Sequence, residues 1–439
     1  MPRSLQILTL GCSKNRVDSE HLLALLDGRY RILPEESGEK VDVLLINSCG
    51  FIADAKQESI DCILTQAERK KRGEVGQIGV FGCLSQRYEG DLPALIPEVD
   101  AWFGARDFKP LLSWLGVNDS FEKAGRVLTT PSHYAYLKIS EGCDRRCSYC
   151  AIPFIRGAHR SVPIERLVSE ATGLASRGVK ELLIVAQDST YYGLDLYHRR
   201  ALGELLRELS KIDGIEWLRI HYSYPDDFPE DVIREMATNP KVCPYMDIPL
   251  QHISDKVLTN MRRGVTGEWT RRLIRTMREK VPGLVLRTTL IVGHPGEGEP
   301  EFAELLDFIR EARFERLGAF TYSEEEGTYA ARYLKDEVPA EEKQRRYDEL
   351  MRVQSAISLS YNQSRVGSLE TVLVDDFRDG VLVCRSRGES PEVDGEILVG
   401  VSDSPLLKNL DPYCLVGEMI RVRIVGAGEY DLIAEAVEI

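Results

Sequence analysis

Six strand-like apolar runs alternate with helical patterns between Tyr134 and Tyr322, and this alternation limits the fold more than any other feature of the chain. The segments between the runs place apolar residues at the spacing of amphipathic helices. The runs are Ala135 to Ile139, Glu181 to Ala186, Trp217 to Tyr222, Tyr245 to Leu250, Val285 to Val292 and Leu317 to Tyr322. Strands that alternate with helices form parallel sheets. We therefore predict a central partial TIM-type barrel of six strand–helix units, with functional residues at the carboxyl ends of its strands.

The regions on either side of this barrel predict two further domains. Residues 1–120 also alternate apolar runs with amphipathic segments, which predicts a smaller amino-terminal parallel α/β domain. A polar stretch at 118–132 is typical of a linker, and the barrel domain then covers 133–360. From 365 to 439, short alternating runs punctuated by glycine predict a small five-stranded β-barrel. The predicted fold class is α/β, with three domains in 439 residues.

The use of the ten cysteines depends on the cellular compartment of the protein. The segment from Met1 to Leu10 ends without a small-residue cleavage site, and no run approaches the ~18 apolar residues that cross a bilayer. We therefore expect a cytoplasmic protein with no membrane partner. Disulfide frameworks belong to small domains in oxidising compartments, so metal or cluster binding is the favoured use of these cysteines.

Cys143, Cys147 and Cys150, the central triad, form a CxxxCxxC loop directly after the first strand of the predicted barrel. Thiolates are the standard ligands of iron–sulfur clusters, and three of them leave one iron of a 4Fe-4S cube without a protein ligand. An open position is typical of a catalytic metal site, and here it is free to chelate the methionine moiety of S-adenosylmethionine (SAM). The alternative is a structural zinc site completed by Cys243 or His159, although structural zinc usually pairs two CxxC knuckles.

Cys12, Cys49 and Cys83, the amino-terminal triad, are far apart in sequence, yet each closely follows an apolar run of the first domain. Parallel strands place their carboxyl ends on one edge of a sheet, so we expect the three thiolates to converge there. Adjacent glycines allow the close backbone approach that a bulky cluster needs. The alternative is three unpaired core cysteines, because free cysteine is often buried. Equivalent placement after three strands favours a shared site.

Together these features resemble the methylthiotransferase family of radical SAM enzymes over essentially the whole chain. The CxxxCxxC loop resembles the radical SAM signature, including an aromatic residue, Tyr149, just before the last cysteine. Further matching segments are LGCSKN from Leu10, NSCGFI from Asn47, IPFIRG from Ile152 and PLQH from Pro249. The resemblance implies that Tyr149 lies near the adenine of SAM. It also implies a second 4Fe-4S cluster on the amino-terminal triad, and a TRAM-type terminal domain for substrate recognition.

The resemblance further implies two uses of SAM. One molecule donates a methyl group to sulfur held at the amino-terminal cluster, and another yields a 5'-deoxyadenosyl radical that abstracts hydrogen from an unactivated carbon. The six cysteines of the two triads are then both metal ligands and catalytic residues. The expected partners include a reduced electron donor of the flavodoxin or ferredoxin type and a sulfur donor.

Polar residues at the strand ends of the barrel are the expected SAM contacts. Gln187 and Asp188 follow the second strand, and Gln251 follows the fourth. Arg219, within the third strand, is the candidate partner of the methionine carboxylate, and Gln187 is the candidate acceptor from its ammonium group. Gly293 begins a segment after the fifth strand that resembles the family's glycine-containing segment near adenine. A surface or structural role is the alternative for each.

The charge of the terminal domain bears on the substrate, because the family has two branches. One branch modifies the β-carbon of an aspartate in small-subunit ribosomal protein number twelve, and the other modifies an isopentenyl-adenosine in tRNA. From Arg365 to Ile439 there are 7 Lys and Arg against 15 Asp and Glu, in a chain of net charge −14. This balance favours a basic ribosomal protein over a phosphate backbone. The segments Arg385 to Gly395 and Gly426 to Leu432 also resemble the ribosomal-protein branch.

We therefore expect a basic small-subunit ribosomal protein as the substrate, and we do not expect nucleic acid as the direct substrate. Two alternatives stay open. One is the tRNA-modifying activity of the other branch, and the second is a non-catalytic iron–sulfur protein.

Overall fold

The amino-terminal domain is a five-stranded parallel sheet with strand order β2-β1-β3-β4-β5. The computed structural model describes residues 2–118, 125–402, 404–407 and 410–438. The elements of this domain are β1 (Ser4–Thr9), α1 (Ser13–Leu26), β2 (Arg31–Leu33), β3 (Val41–Ser48), α2 (Ala53–Lys71), β4 (Val75–Gly82), α3 (Cys83–Arg87), α4 (Leu92–Leu95), β5 (Ala101–Trp102) and α5 (Lys109–Trp114). The central strand β3 is buried along nearly its whole length, as expected for a parallel sheet covered on both faces.

The second domain contains six parallel strands in the order β13-β12-β11-β10-β9-β6, which confirms the predicted open barrel. Its strands are β6 (Tyr134–Lys138), β7 (Ser140–Glu141), β8 (Arg160–Ser161), β9 (Glu181–Val185), β10 (Trp217–Ile220), β11 (Val242–Asp247), β12 (Val285–Val292) and β13 (Arg316–Thr321). Its helices are α6 (Ile152–Arg156), α7 (Ile164–Ala175), α8 (Leu194–Tyr197), α9 (Leu202–Ser210), α10 (Glu230–Thr238), α11 (Asp255–Asn260), α12 (Gly267–Lys280), α13 (Glu299–Ala312), α14 (Tyr329–Tyr333) and α15 (Ala340–Ser364). The short strands β7 and β8 pair separately.

The third domain, here called the terminal barrel, is a closed five-stranded barrel, as the sequence predicts. Its strands are β14 (Leu369–Arg378), β15 (Val381–Arg385), β16 (Ile397–Gly400), β17 (Met419–Ala427) and β18 (Leu432–Glu438). The long helix α15 leads into it from the second domain. In the part of the chain that the structure describes, no helix is long and apolar enough to cross a bilayer.

The terminal barrel closes the amino-terminal end of the six-stranded sheet. Alternate residues of β10 point to opposite faces, so Leu218 joins the core beneath the helices while Arg219 points into the barrel interior. There Arg219 donates to the main-chain oxygens of Ser386 and Arg387, at 3.2 and 2.7 Å. These residues begin the connection between β15 and β16, residues 386–396, which we call the plug segment. The Tyr245 hydroxyl also donates to Asp394 of the plug segment, at 2.7 Å.

A buried carboxylate connects the six-stranded sheet of the second domain to the terminal barrel. Glu181, at the start of β9, accepts from Arg219 and from Arg385 of β15, both at 2.7 Å. Arg385 also donates to Asp375 of β14. Although burial opposes ionisation of Glu181, the guanidinium groups of Arg385 and Arg219 hold the pKa of its carboxyl below the usual value. The Glu181 carboxylate therefore couples the sheet to the terminal barrel.

Replacing Glu181 with glutamine tests this coupling. The variant keeps the side-chain shape but leaves two buried guanidinium groups without their shared carboxylate, so we expect a loss of about 3 to 5 kcal/mol in urea unfolding. The control is Glu418→Gln, which removes an ion pair with Lys180 between the same two domains. Those side chains are 57% and 26% exposed, and surface pairs contribute less than about 1 kcal/mol. Equal losses in the two variants would contradict the assigned role.

Candidate functional site

One cavity of about 390 Å³ is lined by all six cysteines of the two triads. The amino-terminal triad follows β1, β3 and β4, and the central triad occupies the loop that follows β7. None of these cysteines forms a disulfide. The carboxyl edge of the first sheet and the carboxyl end of the second therefore meet at a single site.

Glycine allows the amino-terminal cysteines to converge. Gly11 has φ +85°, and a Cβ atom there would lie 2.7 Å from the sulfur of Cys49. Gly82, beside Cys83, has φ +99°, and a Cβ atom there would lie 2.5 Å from the side-chain oxygen of Asn47. Both positions require the left-handed backbone conformation and the small volume of glycine. The local sequence thus forms a cradle for a group that binds to several thiols.

Burial raises the pKa of four of the six thiols above the usual value: those of Cys49, Cys83, Cys143 and Cys150. Burial raises the pKa of Cys49 to about 11 and that of Cys143 to about 12. Burial also opposes ionisation of Cys12, but Lys14 and Arg156 outweigh it and lower its pKa. Metal ions displace the protons of such thiols and bind the thiolates. Both triads therefore have the donor set of an iron–sulfur cluster.

The geometry disfavours the zinc alternative. In the described ranges, no three His, Cys, Asp or Glu side chains lie close enough together to hold one metal ion. A four-iron cube is wider than a single ion and needs more widely spaced thiolates. Neither of the two proposed fourth ligands lines the cavity with the triads. Cys243 packs against Trp217 and Tyr245, and His159 hydrogen-bonds to Ser161 at 2.9 Å.

Arg156 connects the two triads through buried charges. Its guanidinium donates to Asp18 of α1 at 2.8 Å, to Glu141 of β7 at 3.1 Å and to the sulfur of Cys83 at 3.2 Å. Lys138 of β6 pairs with the same two carboxylates. We call Arg156, Lys138, Asp18 and Glu141 the charge cluster. Its two cations and two anions hold the amino-terminal domain against the second domain beside the cavity.

Three of the residues predicted to contact SAM line the cavity: Tyr149, Gln187 and Gln251. Gln187 donates its amide to Glu141 at 3.1 Å. The side-chain oxygens of Gln187 and Gln251 are buried, and neither accepts a hydrogen bond from any described residue. Buried acceptors are rarely left without a donor, so these two oxygens fit the ammonium or hydroxyl groups of a bound SAM molecule.

The other three predicted contacts lie outside the cavity lining. Asp188 is buried and pairs with Arg145 at 2.9 Å, so it acts on the cavity only through that arginine. Gly293 packs against Lys343, whose Cγ would lie 2.3 Å from an added Cβ. The role expected for Arg219 must be corrected. Its side chain is fully buried at the opposite end of the sheet and is committed to Glu181 and the plug segment.

Two arginines that were not predicted from the sequence line the cavity that Arg219 does not reach. Arg145 lies inside the CxxxCxxC loop, with its guanidinium 4.0 Å from the Tyr224 ring centre. Arg263 lies 4.1 Å from the same centre and donates to the Tyr149 hydroxyl at 3.3 Å. Arg145 could have been predicted as a cavity residue, because it lies between Cys143 and Cys147 in the sequence. No local sequence pattern identifies Arg263.

Lys14 is a third cation that the sequence prediction missed. It lines the cavity two residues after Cys12 and is only 8% exposed. Its ammonium lies 3.4 Å from the centre of the Tyr222 ring. Among the residues that the structure describes, no carboxylate forms an ion pair with it. The cavity therefore contains a buried ammonium group that favours the thiolate form of Cys12 and has no carboxylate partner of its own among the described residues.

Substituting Gly11 with alanine tests the cradle. The added Cβ and the left-handed φ displace Cys49, so we expect iron per reconstituted chain to fall from about eight to about four. The cluster on the central triad should remain. Gly28→Ala is the matched control, because Gly28 has φ +72° but no atom within 4 Å of an added Cβ. Full iron content in Gly11→Ala would contradict the assignment.

Three protein-family models match the chain in succession. Uncharacterized protein family UPF0004 matches residues 4–104, the Radical SAM superfamily matches 137–309 and the TRAM domain matches 366–437. Among solved structures, TsrM from Kitasatospora setae, a radical SAM methyltransferase with cobalamin and a [4Fe-4S] cluster bound, has a TM-score of 0.54. That match is 14% identical and covers 87% of this chain and 81% of TsrM, so it shows a similar fold.

Curated relatives match over the whole chain. Ribosomal protein uS12 methylthiotransferase RimO from Bacteroides fragilis is 48% identical over 437 residues, which cover 99% of each chain. The RimO of Flavobacterium psychrophilum is 49% identical over 433 residues, covering 98% of this chain and 97% of the relative. Both the similarity in sequence and the two triads around one cavity lead to the same conclusion: the chain belongs to the RimO methylthiotransferase family of radical SAM enzymes.

Proposed function

We propose that this enzyme inserts a methylthio group at the β-carbon of an aspartate in ribosomal protein uS12. The single observation that carries the proposal is the shared cavity, because it brings a SAM-binding triad and a second cluster-binding triad to the same substrate. Full-length similarity to enzymes named for uS12 supports this substrate over tRNA. The buried, unpaired side-chain oxygens of Gln187 and Gln251 disfavour a non-catalytic iron–sulfur protein, which would not bind a small molecule in this cavity.

The residues that hold each group follow from the cavity lining. The central triad would hold the cluster with an open position for SAM, and the amino-terminal triad would hold the second cluster. When bound, these groups supply the radical, the methyl group and the inserted sulfur. Gln187 and Gln251 offer acceptors to SAM, while Arg145 and Arg263 offer cations for its carboxylate. The charge cluster keeps the two triads at a constant separation, which holds the reacting groups in line.

Lys14 is positioned to orient the substrate carboxylate. A buried ammonium group is costly without anionic partners, and a substrate aspartate would add a carboxylate to the Cys12 thiolate beside it. The adenine ring of a tRNA substrate carries no such anion. Phe51 and Phe320 also line the cavity and are 37% and 56% exposed, so they border its entrance and help to exclude water once substrate is bound.

The terminal barrel supports a basic protein substrate. Its 15 acidic residues outnumber its 7 basic ones, so its field attracts a basic ribosomal protein and repels a phosphate backbone. Turnover also needs a one-electron donor of the flavodoxin or ferredoxin type and a sulfur donor. Because the substrate is a ribosomal protein, we place the reaction in the cytoplasm.

The test uses anaerobically reconstituted enzyme, SAM and dithionite. Three substrates are compared: a uS12 peptide containing the aspartate, the same peptide with asparagine, and a tRNA with isopentenyl-adenosine. We expect 5'-deoxyadenosine to form, and mass spectrometry to show a methylthio group on the aspartate peptide. Modification of the tRNA alone would overturn the proposal.

The Lys14→Gln variant tests the carboxylate contact in the same assay. Loss of a charge-assisted hydrogen bond of about 1.5 to 3 kcal/mol should lower modification of the aspartate peptide by about 10- to 100-fold. Iron content and peptide-independent SAM cleavage should match the wild type. Lys335→Gln is the control, because that side chain is 83% exposed. An unchanged rate on the aspartate peptide would contradict the contact.

A further inference from the structure

A second groove reaches the central triad from outside the active-site cavity. It has a volume of about 290 Å³, and Cys147 and Cys150 line both this groove and the cavity. The remaining lining residues are mostly aromatic or basic: Arg146, Pro153, Phe154, Arg262, Gly327, Tyr329, Arg332 and Tyr333. We call this surface the rear groove. It is a direct approach to two ligands of the SAM-binding cluster that avoids the substrate side.

The rim of the rear groove exposes a cluster of aromatic rings. Phe154 is 59% exposed, Tyr329 41% and Tyr333 68%. The rings of Tyr329 and Tyr333 lie 4.7 Å apart. Exposed aromatic groups beside charged groups are typical of protein interfaces rather than of ordinary surface.

The same rim carries three arginines without carboxylate partners. Arg146, Arg262 and Arg332 are exposed, and within the described ranges none of them forms an ion pair. Arg262 instead lies over the Tyr329 ring at 4.5 Å. In the adjacent segment, Glu325 is buried and pairs with Lys56 and Arg87. Glu324 and Glu326 are exposed, and neither forms an ion pair with the three arginines. Three arginines without a carboxylate partner therefore line the groove of a protein whose net charge is −14.

We propose that the rear groove is the docking surface for an acidic one-electron carrier protein that reduces the cluster held by the central triad. The proposal rests on the proposed radical SAM function, which requires an electron for each cleavage. Charge complementarity selects the partner, since an acidic protein is attracted to the arginines whereas a basic ribosomal protein is repelled. Cys147 and Cys150, two ligands of the proposed cluster, line the groove. Proximity to the cluster is useful to a redox partner, whereas an RNA would gain nothing from it.

The docked complex transfers one electron from the carrier protein to the enzyme. One electron leaves the reduced flavin or iron–sulfur group of the carrier and enters the cluster through the side lined by Cys147 and Cys150. The carrier is oxidised by one electron and the cluster is reduced by one electron. No covalent bond forms or breaks between the two proteins. Small, polar, salt-sensitive contacts suit such transient redox encounters.

Binding of the reconstituted holoenzyme to purified flavodoxin, the probe for the acidic carrier, tests the proposal. The dissociation constant is measured by calorimetry at low and high salt for wild type and for Arg262→Glu/Arg332→Glu. We expect the wild-type affinity to fall with salt and the variant to bind at least about tenfold more weakly at low salt. Arg166→Glu/Arg234→Glu, two exterior positions on α7 and α10, is the matched control and should bind like the wild type. Tyr333→Ala, which changes no charge, should weaken binding while keeping the salt dependence.

A kinetic comparison separates this proposal from the proposed function. With dithionite as the reductant, SAM cleavage by Arg262→Glu/Arg332→Glu should equal that of the wild type, and with reduced flavodoxin it should be slower. Absence of dithionite-driven cleavage in the wild type would contradict the proposed function instead. Unchanged flavodoxin binding in both the double variant and Tyr333→Ala would overturn the docking proposal. Lost affinity for a ribosomal RNA fragment with unchanged flavodoxin binding would also overturn it and would identify the groove as an RNA surface.

Discussion

The buried guanidinium of Arg156 sets the distance between two sheets, and the chemistry of the molecule depends on that distance. It binds Asp18 in one domain and Glu141 in the other, and it also touches the sulfur of Cys83. A buried ion-pair network adds little net stability, because desolvation offsets its Coulomb attraction. Removing one member would leave uncompensated charge, so the network strongly favours one relative position of the domains. The protein thus gains a defined separation between its triads.

The second domain serves a different partner at each end. Its carboxyl end faces the amino-terminal domain and forms the cavity, while its amino-terminal end is filled by the plug segment. The polar residues on these strands and directly after them therefore have different roles according to their height along the barrel axis. Gln187 and Gln251 lie near the cavity, whereas Glu181 and Arg219 bind the terminal barrel. The same sheet therefore forms the catalytic cavity at its carboxyl end and holds the terminal barrel at its amino-terminal end.

The sequence predicts strands, helices and cysteine sites well, because these depend on periodicity and on short spacings. It predicts poorly the height of a residue along the barrel axis and the pairing of charges that are far apart in the chain. Strand–helix alternation predicts both parallel sheets. The position of three cysteines after strands predicts the convergence of the amino-terminal triad, and the CxxxCxxC spacing predicts that of the central triad. The error at Arg219 arose because strand periodicity shows which face a residue occupies but not its height along the barrel axis. The contact of Arg263 with Cys147 and that of Arg156 with Asp18 each join residues more than 100 positions apart. No local pattern contains that information.

The central claim is that two clusters share one cavity, and electron paramagnetic resonance of the reduced enzyme tests it most directly. The spectrum of the enzyme with both clusters is compared with spectra of two variants, Cys83→Ala and Cys150→Ala, each of which retains one intact triad. Two paramagnetic clusters that share a cavity of about 390 Å³ should interact, giving a broadened, faster-relaxing spectrum. A spectrum equal to the simple sum of the two single-cluster spectra would contradict a shared cavity.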